Sequence, residues 1–391
     1  MVSTRGRRFS APLVRCRRLA ADSPRAEGLF TDVARPFAIA PIAGELACGP
    51  GGVEWTVDRL SRDGAWRILI AAERDAVGDE FLRALTSGLD ARGMHAHVEM
   101  VSSSTATSSD IDRIVRAVRD GDRDTIVAAG GETAIAIARV AAVHLGKGDD
   151  VVQKLRVVAL AVVPDFSTCG QSDEWFWSAS GSLQRVPVRV PDLLAIVPAP
   201  GGSAARSLLG GVNCLARAVE LIMDPAVGAF AFHGATNAIR ATLLHLLPTT
   251  GGIPARHAEP LFLGSLHLAL AAARTAPTPL DLFANSLGAR LGEHPGAIRA
   301  LFLEGQFENA RTGAPELIAA LEWPGPDAPG ATHISLSERV HQILVRVPRL
   351  DSLRGSRRVA IETAFEETAA ICRSERIGGY ERFREIANKA L

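Results

Sequence analysis

The chain has 391 residues, 47% hydrophobic and 22% charged, a globular composition with room for two cored domains that excludes disorder over the whole length. Lys plus Arg and Asp plus Glu both number 43, so no net field attracts a nucleic-acid backbone or an anionic membrane, and the expected partner is a small molecule or a peptide. Cys16, Cys48, Cys169, Cys214 and Cys372 are scattered, form no C-x-x-C and leave one over, which points to a reducing cytoplasm, and no apolar run reaches the roughly 20 residues that span a bilayer.

Residues 1–30 read as a disordered tail or an over-extended gene start, because Met1 to Arg25 is rich in Arg and Ser and has no apolar stretch of a secretory signal. From 31 to 199, short apolar runs alternate with amphipathic stretches, the pattern of βαβ units around a parallel sheet. The expected strands are 67–72, 95–100, 124–129 and 157–163, with helices near 53–63, 77–92, 110–120 and 132–146. These runs show little alternation, which suits strands covered on both faces. Pro198–Ala199–Pro200–Gly201–Gly202 breaks regular structure and offers a hinge or domain boundary. Over 200–391 strands disappear, and 203–223, 226–247, 258–275, 279–292, 296–304, 314–322 and 356–390 read as Ala- and Leu-rich helices. The fold class that follows is an α/β dinucleotide-binding domain followed by an all-α domain, with the ligand site in the cleft between them.

Three loops of the first domain can carry chemistry. Gly130–Gly131–Glu132–Thr133 joins a strand directly to a helix, where glycines admit a phosphate to the amides of the helix N-terminus; the steric needs of a tight strand-to-helix turn explain the glycines equally well. Glu73 and Arg74 follow strand 67–72, where an acid can bind an adenosine ribose and an adjacent Arg leaves a 2′-phosphate open; solvated loop charges are the plain alternative. Pro164 to Ser172, including Thr168 and Cys169, offers hydroxyls and amides after a buried-looking strand, as an ordinary turn also would. Trp175–Phe176–Trp177 either caps a cleft and grips a peptide or packs in the core.

Taken in order, these segments resemble the iron-containing alcohol dehydrogenases and, more distantly, the dehydroquinate synthase-like superfamily, over about residues 35 to 310. Ala129–Gly130–Gly131–Glu132 stands where the family has G-G-G-S, and Val163 to Ser172 where it has V-P-T-T-A-G-T-G-S-E. Arg185 to Pro191 is similar to its K-x-x-I-R-S-P strand, with Arg185 at the Lys position. Gly211 to Glu220 is similar to G-x-D-A-x-x-H-A-x-E, and Asp281 to Gly296 to H-A-L-x-H-x-L-G-x-x-x-x-x-P-H-G. The resemblance implies NAD, with NADP left open, held at Gly130, Gly131, Glu132, Thr133, Thr168, Cys169, Ser172 and Arg185, with Glu73 at the adenosine ribose. Glu132 departs from the small hydroxyl residue of the family and would repel phosphate unless it turns to solvent or pairs with a cation. Ile135 departs from the Asp usual in the same helix.

The family's divalent ion is held by one Asp and three His; here those positions read Asn213, Arg217, Asp281 and Pro295, with His294 one residue away. A fixed guanidinium and one carboxylate are a poor ligand set, so no metal is expected. Arg217 is expected either to pair with Asp281 or to bind an anionic substrate group through its planar fork. Asn285 replaces a His that relays protons and cannot act as a base, leaving His294 as the nearest acid/base candidate or a plain loop histidine. The leading expectation is a metal-independent NAD(P)-dependent oxidoreductase acting on an anionic hydroxyl substrate. A relative with similarly altered ligands is the dehydrogenase of daptide-type ribosomal peptide maturation, which implies oxidative decarboxylation of a C-terminal Thr. The alternative is a non-catalytic member that binds nucleotide or a partner. A lyase or cyclase of the dehydroquinate synthase kind is set aside, since those enzymes use the metal. The resemblance also implies a homodimer.

Overall fold

A computed structural model describes residues 41–146, 155–198, 203–224, 227–246, 255–273, 275–313, 315–322, 335–348, 353 and 358–391. The expected tail at 1–30 and the hinge residues 199–202 lie outside the described residues. Ala40–Leu391 forms one compact unit.

The α/β part contains β1 (Glu45–Cys48), α1 (Gly52–Arg62), β2 (Arg67–Glu73), α2 (Asp79–Asp90), β3 (His95–Val101), α3 (Ser108–Asp120), β4 (Thr125–Gly130), α4 (Glu132–Gly146), β5 (Arg156–Ala161) and β8 (Leu193–Ile196). A hairpin of β6 (Asp173–Trp177) and β7 (Leu183–Pro187) intervenes between β5 and β8. The six-stranded sheet is parallel throughout, in the order β1-β8-β5-β4-β2-β3. Its two faces follow from the two-residue period of a strand. Leu69, Ile126 and Val157 enter one apolar core, and Ile68, Val127 and Val158 the opposite one. With both faces covered, β4 is buried at every residue, as its unbroken apolar run requires. Because β4 lies between β2 and β5, the loops leaving the carboxyl ends of these three strands meet, the position where open parallel sheets form a ligand crevice.

The rest is helical: α5 (Ala204–Met223), α6 (Ala229–His245), α7 (Ala255–Ala272), α8 (Pro279–Leu291), α9 (Pro295–Ala300), α10 (Leu303–Gly313), α11 (Pro315–Glu322), α12 (Leu336–Leu344), α13 (Arg358–Ser374) and α14 (Tyr380–Ala390). Phe283 anchors this half, with ring centroids of Phe365, Phe383 and Phe302 at 4.4, 5.3 and 5.6 Å. The α/β-then-α architecture agrees with the expectation from sequence, with five differences of detail. The strands β1 and β8 are only four residues long, too short to stand out by periodicity. Strand β6 sits in a polar, acidic run, and α12 was not expected. The expected helix 296–304 divides into α9 and α10. The expected helix 356–390 breaks at Gly378–Gly379, where Gly379 adopts φ +82°, a conformation open to glycine at little cost.

Candidate active site

The cleft opens beside the loops after β4 and β5 and is closed by α5, α8 and α9. Its lining includes Glu132, Thr133, Thr168, Asn213, Arg217 and Asp281, together with Asn285, Pro295 and His294. Residues spaced three and four apart share one face of a helix. Arg206, Asn213 and Arg217 on α5 therefore form one inward stripe, and all three are buried. Asp281 and Asn285 are likewise four apart on α8, which Thr278 starts with a capping box: its hydroxyl accepts from Asp281 N–H at 3.0 Å, and Asp281 Oδ2 accepts from Thr278 N–H at 2.8 Å.

Charge fills the cleft floor. Arg217 Nε lies 3.4 Å from Asp281, one of the two partners expected from the sequence, and its Nη1 lies 3.4 Å from Glu132. Arg299, fully buried on α9, makes a much closer ion pair with the same Asp281 oxygen. Asn213 Nδ2 donates to Asp165 at 2.7 Å and lies 3.4 Å from Glu132. Although burial works against it, Arg217 and then Arg299 hold Asp281 below the usual carboxylate range. Burial pushes Glu132 the other way, against the pull of Arg217. Arg299 and Asp165 escaped sequence reasoning, since neither occupies a family ligand position. The polar residue inside the otherwise apolar α9 was the available signal for Arg299.

These side chains do not fit a divalent ion. Arg217 puts a permanent positive charge at one ligand position, Asp281 is spent on two guanidiniums and the Thr278 amide, and Pro295 has no side-chain donor atom. Among the described residues no group of three His, Cys, Asp or Glu could hold a metal ion.

His294 does not stand free as an acid/base. It caps α9, with Nδ1 accepting from Gly296 N–H at 2.9 Å, so the proton resides on Nε2, which faces Asp165 at 3.2 Å. Its one basic lone pair is spent on the cap. Burial, then the charge of Arg206, pushes its pKa down to about 4. The unfolded chain, titrating near 6.5, binds the extra proton between these values, so stability is expected to fall as pH drops from about 6.5 to 4. His294→Asn keeps a cap and removes the titration; urea unfolding across this pH range should show a shallower loss in the variant, and equal slopes would contradict the assignment.

The nucleotide loops differ from their sequence reading. Glu73 is fully buried and does not present its carboxylate for a ribose. One oxygen accepts from Gly131 N–H at 2.7 Å, and the other makes a short contact with Arg206 Nε. Arg206 also pairs with Asp165 at 2.8 Å, and the two acids hold it firmly charged against the cost of burial. A Cβ on Gly130 would lie 2.5 Å from Glu73 Cβ, and one on Gly131 would lie 2.6 Å from Arg206 Nη2. The glycines thus make room for the chain's own ion pair. Thr133 spends its hydroxyl on the Ser104 carbonyl at 2.9 Å.

In the β5–β6 loop, Arg139 of α4, fully buried and missed by sequence reasoning, binds the carbonyls of Thr168 and Gln171 and pairs with Glu174 at 2.5 Å. Burial lifts Glu174 to about 7. Cys169 turns its thiol toward the Ile42 carbonyl, with its pKa pushed up to about 12 by burial, and Ser172 bonds to Asp173 at 3.0 Å. Arg185 sits on the surface between Asp173 and Glu375. Cys169, Ser172 and Arg185 therefore do not join the cleft. The aromatic triplet divides by strand alternation: Trp175 lines the cleft, Phe176 enters the core, and Trp177 lies under Arg290, 4.8 Å from the guanidinium.

A dinucleotide finds the right residue types here in a different pairing. Thr105 Oγ1, Gln171 Nε2 and Asn213 Oδ1 are buried beside the cleft without partners and suit the polar nicotinamide end. At the turn, Gly131 N–H and Arg206 are donors of the kind a diphosphate could use, and Glu73 takes them both.

Comparison with known proteins agrees with this architecture. Residues 43–180 match the model of the iron-containing alcohol dehydrogenase family. An alcohol dehydrogenase mutant from an archaeal halo-thermophile of a Red Sea brine pool superimposes with TM-score 0.73 at 15% identity, covering 91% of this chain and 99% of its own. The NADH-dependent butanol dehydrogenase A of Thermotoga maritima gives 0.69 at 12% identity, covering 91% and 98%. Maleylacetate reductase of Agrobacterium tumefaciens gives 0.65 at 16% identity, with the same coverage of both chains. No curated protein matches the chain by sequence. No helix among the described residues is long and apolar enough to cross a membrane. The chain thus carries an iron-containing alcohol dehydrogenase domain match at residues 43–180 and has the fold of those oxidoreductases.

Proposed function

We propose that the chain is an NAD(P)-dependent oxidoreductase that oxidises a hydroxyl beside an anionic group and uses no divalent ion. The observation that carries this reading is the looseness of Arg217. It meets Glu132 and Asp281 only at 3.4 Å, whereas Arg206 and Arg299 are gripped closely by their carboxylates. A substrate carboxylate entering the cleft would replace these long contacts with the two parallel hydrogen bonds that a guanidinium offers.

Glu132 released in this way is the proton acceptor. It lines the cleft, burial already raises its proton affinity, and the substrate's charge on Arg217 removes its chief counter-ion. Asn285, which cannot take the proton, orients the substrate by hydrogen bonding. Gly131, Arg206 and Thr133 would hold a nicotinamide dinucleotide, with Thr105 and Gln171 at its nicotinamide end. When bound, that cofactor supplies the acceptor for the substrate hydride.

A peptide ending in Thr fits this chemistry, with its carboxylate on Arg217 and Trp175 against the chain. Oxidation of the Thr hydroxyl gives a β-keto acid, from which CO2 leaves as the α-carbon takes a proton and becomes a methylene. A non-catalytic nucleotide- or partner-binding protein is the second reading, favoured by the way Glu73 and Arg206 close the turn.

The test is NAD reduction by chelator-treated protein, offered 3-hydroxy acids and Thr-ended peptides beside their amides. The acids should turn over on the order of 100-fold better than the amides, the scale of a lost buried charge pair. Equal rates for acid and amide, or turnover only with an added divalent ion, would reject the proposal. Binding of cofactor without turnover of any carboxylate would favour the non-catalytic reading.

A further inference from the structure

We propose that Glu73 is an internal stand-in for the dinucleotide diphosphate, an occupant that must leave the glycine turn before a nucleotide can bind. This rests on the dinucleotide reading above and reverses the role that position and residue type suggest for Glu73.

The turn is already a complete anion site. It combines the Gly131 amide at the start of the 15-residue α4 with the buried guanidinium of Arg206. Arg206 Nη1 is sealed from solvent and has no partner, so the guanidinium retains donor capacity beyond its present bonds. Glu73 satisfies the remainder as a phosphate oxygen would, one carboxylate oxygen on the amide and the other on Nε. Asp165 grips Arg206 from the other side at 2.8 Å and would keep the guanidinium in place once Glu73 departs. Glu73 ends β2, and the next two residues, Arg74 and Asp75, are exposed, so the chain leaves the sheet for the surface directly after it.

A site that spends most of its time self-occupied binds its ligand more weakly by the fraction of molecules that are open. Removing the occupant should therefore tighten binding of any ligand that carries a diphosphate. If Glu73 instead held the ribose, removing it would weaken binding.

The experiment measures the dissociation constants of NADH, ADP and adenosine for wild type, Glu73→Gln and Glu73→Met, by nicotinamide fluorescence and by calorimetry. Gln keeps the shape, and Met keeps the volume while leaving the Arg206–Asp165 pair intact, so one variant can serve if the other folds poorly. About tenfold tighter binding of NADH and ADP, with no change for adenosine, is expected from an occluded fraction near nine in ten. Weaker or unchanged NADH and ADP binding would overturn the stand-in role while leaving the dinucleotide reading. No binding of NADH or ADP by any of the folded proteins would overturn both.

Discussion

Arg206→Met is expected to lower the free energy of unfolding by about 3–5 kcal/mol, the scale for removing one member of a buried ionic network. The loss is large because Arg206 serves two acids at once. Glu73 and Asp165 are both sealed from solvent, and the substitution strands both. Asp165 would keep only Asn213 and the neutral His294, and Glu73 only the Gly131 amide. Urea unfolding near pH 7 measures the effect. The deficit should narrow on acidification, because the stranded acids can then be buried neutral. A deficit under about 1 kcal/mol would mean that the network is far less costly to break than its burial implies.

Arg217→Met should have the opposite profile, with a modest stability cost and a large loss of turnover. Asp281 retains Arg299 and the Thr278 amide, and the Glu132 side chain is 19% exposed, so neither acid is stranded. On a carboxylate substrate, kcat/KM should fall on the order of 100- to 1000-fold, corresponding to roughly 3–4 kcal/mol from a desolvated, hydrogen-bonded charge pair. The corresponding amide, which makes no ion pair with Arg217, should lose far less. Arg217→Lys should restore little, because an ammonium is a point charge without the planar fork. Equal losses on acid and amide would make Arg217 a structural residue.

The contrast between these two arginines shows where sequence reading worked. The covered parallel strands and the helical second half were legible because apolar runs and helical spacing are local properties. The Arg217–Asp281 pair was legible too, since the resemblance aligned both positions with ligands of one ion. Glu73 was not. Its position at the end of β2 and its acidity both suggest a ribose contact, and nothing nearby in sequence announces Arg206, 133 residues away, as its partner. The same limit hid Arg139, which holds the β5–β6 loop by its carbonyls, and Arg299, which takes the nearer grip on Asp281. His294 was found, but its cap on α9 and its contact with Asp165 leave it no basic lone pair to offer.

The most direct test of a fixed-charge cleft in place of a metal centre is elemental analysis of the purified protein alongside NAD reduction on a carboxylate substrate, before and after chelation. No stoichiometric divalent ion is expected, and chelation should leave the rate unchanged. About one Fe or Zn per chain, lost together with activity on chelation and restored with it, would contradict a metal-free cleft.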